Sequence, residues 1–135
     1  MKVLKYFSFF IILTSLIYAC GTSSLKNNLK TTEEPVLIKN DSLEYEIIIF
    51  DIGFTNYLNT IAKPVGYHSQ FYLENKNRQY VPVWNSRVNN ATYYNSNIYE
   101  NNINYDPHTN YGYDVNYKLF NYFEFSQRKY KMVLR

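Results

Sequence analysis

Cysteine is almost missing from this chain: Cys20 is the only one among 135 residues. No disulfide can form within one chain, so an apolar core has to hold the fold. Glycine and proline number four each, and tryptophan one. Glycine is too sparse for a phosphate-cradling loop, and no G-x-S-x-G turn seats a serine nucleophile. The two histidines, His68 and His108, lie far apart without zinc-ligand spacing, and a zinc site takes three or four ligands. Neither a metal nor a cofactor is expected. Apolar runs are short as well. The longest covers about 12 residues from Tyr6, well under the ~20 that a membrane-spanning helix requires.

What the N-terminus does contain is an ordered series. Lys2 and Lys5 form a positive head, Tyr6 to Ile17 is nearly all apolar, and Ala19 stands immediately before Cys20. Positive head, apolar middle and small residue are the layout of a secretory signal. With cysteine at the cut, it resembles the lipobox of bacterial lipoproteins. That resemblance implies removal of residues 1–19 and acylation of Cys20, which explains a lone cysteine in an exported protein. One acyl chain anchors only marginally, whereas two or more hold firmly at ~0.8 kcal/mol per buried CH2. The expected address is the bacterial cell envelope, lipid-anchored in the outer membrane. No acidic cluster follows Cys20, and in Bacteroidota-type lipoproteins such acids resemble a surface-export tag, so a periplasm-facing protein is expected.

Loss of Lys2 and Lys5 takes the formal charge from +3 to about +1. A near-neutral domain lacks the basic footprint of a nucleic-acid binder. From Cys20 onward the chain suffices for one domain. Residues 20–42 are polar and read as a flexible tether able to reach ~70 Å at ~3.3 Å per residue. Within it, Val36-Leu37-Ile38 is apolar enough for a short edge strand. A single globular domain then occupies 43–135.

The first domain element is Glu44 to Asp51, a continuous β-branched and aromatic run expected as a strand buried on both faces. Asp51 and Gly53 suit a turn and cap. Phe54, Tyr57, Leu58 and Ile61 share one helical face, and Lys63-Pro64 ends that helix at about Ala62. A second helix is predicted from about His68 to Val88, capped by Ser69, with Leu73, Tyr80, Val81, Trp84 and Val88 as its stripe. Its polar middle, Glu74 to Arg78, is expected to face water. Pro82 either kinks it or divides it. Residues 89–113 lack a period but carry regular aromatics. They are expected to pack on the body through Tyr93, Tyr94, Ile98, Tyr99, Ile103 and Tyr105. The last helix spans Asp114 to Lys131, lies over the strand, and ends in cations that suit its dipole. The fold class expected is α+β: one small, mostly helical domain with a short buried strand under two or three helices. The strand must pair with Val36–Ile38, with a piece near Tyr80–Val83, or with another protomer, because its backbone groups need partners.

Residues 44–131 carry YEIIIFD (45–51), GF (53–54), AKPVGYHSQ (62–70), ENKNRQYV (74–81), WNSRV (84–88), YEN (99–101), NYD (104–106) and YGYDVNYKLFNYF (111–123). On these the chain resembles an uncharacterised family of small Bacteroidota lipoproteins, a domain of unknown function. The resemblance implies an envelope location and one domain. It implies no activity.

Tyrosine is abundant, 16 in all, and a flat apolar face with a polar tip suits sugars and peptides. AT-rich codons produce the same tyrosine and asparagine excess. The candidate binding residues are Arg78, Trp84, Asn85, Arg87, Tyr105 and Asp106, joined by Lys63. In the ligand-binding reading Trp84 stacks a ligand and an arginine grips its carboxylate. In the structural reading Arg78 and Arg87 pair with Glu74 and Asp106. Asp51 and Glu74 offer an acid–base pair, as any small protein does. Without a catalytic motif, the expectation is a non-enzymatic lipid-anchored protein. It contacts the membrane through acylated Cys20 and takes an envelope protein partner; the alternative is a periplasmic glycan- or peptide-binding module built on Trp84.

Overall fold

The computed structural model describes residues 34–135. The leader, Cys20 and most of the tether lie outside the described residues. The fold is α+β, with a two-stranded antiparallel sheet and three helices.

Strand β1 (Val36–Asn40) pairs with β2 (Tyr45–Ile49), in a register that sets Leu37 opposite Ile48 and Asn40 opposite Tyr45. The partner of EYEIIIFD is thus the Val36–Ile38 piece. The folded body begins ahead of 43, because β1 belongs to the sheet rather than to the tether. Asn40 closes the hairpin: its side-chain oxygen accepts from the Ser42 and Leu43 amides at 3.0 and 3.3 Å. Glu44 turns the chain with φ +50°.

One face of the hairpin closes the core through Ile38 and Ile49, fully or nearly fully buried. The other face is open. Ile48 is 46% exposed and Phe50 73%. The strand is therefore not buried on both faces, as its continuous apolar run suggests. A two-stranded hairpin has helix on one side only, so alternate residues of that run meet water.

Helix α1 (Phe54–Thr60) starts from Gly53, whose φ of +96° an L side chain rarely adopts. Phe54 is fully buried, with its ring 5.4 Å from both Tyr122 and Phe125. The helix ends two residues before Ala62, and Ile61 turns outward.

Helix α2 (Gln70–Val88) is capped by Ser69, whose hydroxyl accepts from the Tyr72 amide at 3.2 Å. It runs through Pro82 as one helix. Its polar middle is only partly wet: Arg78 is exposed and Glu74 to Lys76 are half-buried, but Asn77 is fully buried. Asn77 follows Leu73 by four residues and precedes Val81 by four, so helical spacing places it on the core face despite its polarity.

Helix α3 (Gly112–Tyr130) is the central element, with Val115, Leu119, Phe120, Tyr122, Phe123 and Phe125 all buried. It packs against α2, α1 and β1. Its left-handed C-cap is Lys131, at φ +53°. The connecting segment 89–111 is a chain of turns. Tyr99 and Ile103 anchor it in the core, while Tyr93 is 81% exposed and takes no part in the packing expected of it.

Candidate functional site

The residues singled out in the sequence do not converge on one groove. Trp84 is 2% exposed. Its ring packs on Tyr99, Tyr122 and Phe123, and Nε1 donates to the Asn101 carbonyl at 3.0 Å. Asn85 makes a two-way clamp on Ile103. Its Nδ2 donates to the Ile103 carbonyl and its Oδ1 accepts from the Ile103 amide, both at 2.8 Å. Together Trp84 and Asn85 fasten the irregular segment to α2. Arg78 is a surface residue, 3.9 Å from Glu74. Arg87 donates to the Tyr99 hydroxyl at 2.7 Å and to the Val133 carbonyl, with its guanidinium 5.3 Å from the Tyr94 ring centroid. It does not pair with Asp106. Tyr105 donates to Asn116 Oδ1 at 2.8 Å and stacks on Tyr111. Asp106 sits in an exposed turn and accepts from the His108 amide and the Thr109 hydroxyl, which hold its carboxyl below the usual range. Lys63 lies 5.2 Å from the Tyr67 ring centroid. Each of these contacts is made within the domain, and the Trp84 ring is packed into the core.

The two carboxylates named for acid–base work sit in separate networks. Glu74 accepts from Gln70 at 2.7 Å. Asp51 accepts from Lys129 and from the Tyr130 hydroxyl, the latter at 2.9 Å to each oxygen. Partial burial pulls the Lys129 ammonium down, but the hydrogen bonds and charges of Asp51 and Tyr130 together outweigh it and leave the pKa above its ordinary value. Tyr130 is pushed up, first by burial and then by its bond to Asp51. Among the described residues, no three His, Cys, Asp or Glu side chains gather into a metal-holding group.

Of the candidate binding residues, Trp84 also lines a groove. A groove of about 380 Å³ beside β2 is lined by residues 47–52, by Asn97 and Ile98, and by residues 100–103. Trp84, Tyr122, Lys129 and Tyr130 line it as well. Two of its lining residues, Phe50 and Ile52, are 73% and 69% exposed.

The groove borders the free edge of the sheet. The Leu37 carbonyl accepts from Lys118 Nζ at 3.4 Å, so it points away from β2. Leu37 and Ile48 are thus a non-hydrogen-bonded pair, and both turn their backbone groups outward. The Ile48 amide and carbonyl therefore face away from β1, on the groove side, and by alternation those of Glu46 do too. Among the described residues nothing else bonds to these groups. The run EYEIIIFDI already held the signal. Ile48, Phe50 and Ile52 follow one another at i, i+2 and i+4, one face of an extended chain.

The edge is acidic. Glu46 and Glu100 are exposed and take part in no ion pair among the described residues. Lys129 is the one cation among the lining residues, and Asp51 neutralises it. A second hollow, about 740 Å³, lies over Tyr57, Lys76, Tyr80 and Glu124, and there the Tyr80 hydroxyl donates to Glu124 at 3.0 Å.

No curated protein and no solved structure matches the chain. A family model does match it, over residues 8–135, nearly its whole length. The chain belongs to the Family of unknown function (DUF6146).

Proposed function

We propose that this chain is a lipid-anchored envelope protein of the Bacteroidota lipoprotein type, whose folded domain docks a protein partner and does no chemistry of its own. The observation that carries this reading is the N-terminal order: Lys2 and Lys5, an apolar run, then Ala19 directly before the lone Cys20. Acyl chains on Cys20 hold the domain at the periplasmic face of the outer membrane. Anchoring by lipid also suits a domain in which, among the described residues, no helix is long and apolar enough to cross a membrane.

Docking follows from how the domain uses its polar residues. Trp84, Asn85, Arg87 and Tyr105 are consumed in holding the fold, while Ile48, Phe50 and Ile52 stay open to solvent. Apolar side chains gathered at the surface mark an interaction site. Growth with labelled palmitate tests the anchor. The wild-type chain takes up label and Cys20→Ser takes up none; a Cys20→Ser chain that still carries label contradicts the assignment.

A further inference from the structure

We infer that the free edge of β2 is a docking site for an extended segment of a partner protein, one that alternates apolar with basic residues. The inference rests on the docking reading above and names its surface and its partner chemistry.

Three observations converge. The outward amide and carbonyl of Ile48 lack a partner among the described residues, and an unpaired edge templates the addition of a strand. The groove beside that edge receives the side chains of the added strand. Alternate residues of a strand point to opposite faces. Those turned inward would meet Ile98, Ile103 and Tyr122; those turned outward would lie beside Glu46, Ile48 and Phe50.

Charge selects the occupant. Glu46 and Glu100 flank the edge and enter no ion pair among the described residues, so lysine or arginine on the outer face of the partner is favoured. A second copy of this chain fits badly. A twofold pairing centred on Ile48 would bring two more acids, Glu46 and Glu100 of the other copy, into the same joint.

The test uses protein from its native cells in mild detergent, so that acyl state, read by mass, and peptide affinity are scored separately. The probe is a synthetic heptapeptide of alternating lysine and valine. Binding is expected, with the Ile48 amide exchanging freely before the peptide is added and at least tenfold more slowly after. Methylating the backbone nitrogens on one edge of the peptide is expected to weaken binding at least tenfold. Charge reversal at Glu46 and Glu100 (E46K with E100K) is expected to weaken it at least fivefold and to favour a glutamate–valine peptide instead. Ile48→Pro removes an amide that β1 does not use, so the hairpin stays and binding falls at least tenfold. Three results overturn the inference: no binding at millimolar peptide, equal binding of the methylated peptide, or an Ile48 amide already protected in the free protein. The last would place the chain's own N-terminal segment or a second copy on the edge.

Discussion

The Asn77 side chain donates to both the backbone carbonyl and the side-chain oxygen of Asn116, each at 3.1 Å, and both residues are fully buried. This polar link joins α2 to α3 inside an otherwise aromatic core. Asn116 is its hub. Its Oδ1 also accepts from the Tyr105 hydroxyl at 2.8 Å, and its Nδ2 donates to the Gly112 carbonyl at 2.8 Å. Asn77 Oδ1, by contrast, has no partner.

That asymmetry predicts unequal costs. Asn116→Leu strands the half-buried Tyr105 hydroxyl and leaves Asn77 Nδ2 only its bond to the retained backbone carbonyl, at ~1–3 kcal/mol for a buried group left unmade. Asn77→Leu removes an unsatisfied oxygen and leaves Asn116 bonded to Tyr105, so it costs less. Urea unfolding of the two variants checks the order; equal midpoints would contradict it.

Pro82 lies on the exposed side of α2 and leaves the Arg78 carbonyl without its helical donor. Pro82→Ala restores that donor without touching the core. It is expected to raise stability by about 1–3 kcal/mol, the order of the helix-interior penalty of proline. Thermal melts read the gain, and an unchanged or lower Tm counts against it.

These two residues show what was legible. The helices around them were: Ser69 as cap, the stripe of Leu73, Tyr80, Val81 and Trp84, and the long amphipathic α3 all follow from local spacing. Asn77 was hidden because a polar residue on a core face carries no apolar signal. The strand was legible in place but not in exposure, since burial on two faces or one depends on what covers the sheet. The candidate site was misread for a related reason. Trp84 and Arg87 suggest a ligand by type, yet their partners, Asn101 and Val133, lie 17 and 46 residues away. Contacts at that separation have no local pattern.

Alkali should unfold the domain through its tyrosines. Burial and then Glu124 push Tyr80 up to about 12, and burial and then Glu74 push Tyr105 up to about 12. Burial also raises Tyr45 and Tyr122. Each phenol holds its proton more tightly when folded. Below pH ~10 that preference is fully present; above it the unfolded chain sheds protons that the folded chain keeps, so stability falls toward pH ~12. Tm measured from pH 8 to 12 should be level and then drop, with late phenolate absorbance appearing only on unfolding. A Tm that holds through pH 12 would contradict this.

Arg87 ties the C-terminal residues to α2 through the Val133 carbonyl, next to Leu134, which is 1% exposed and donates its amide to Gln127 at 3.0 Å. Arg87→Ala is expected to cost about 1.5–3 kcal/mol, typical for a hydrogen bond to a charged group. The loss should be local, with exchange at the Leu134 amide accelerated more than at Leu119. Equal acceleration at both would mean global destabilisation instead.

The most direct measurement is the mass of the N-terminal peptide taken from the native cell. The anchored reading predicts a peptide that begins at Cys20 and carries diacylglycerol on sulfur and an acyl group on the amine. A peptide retaining residues 1–19, or a Cys20 with a free thiol, contradicts it.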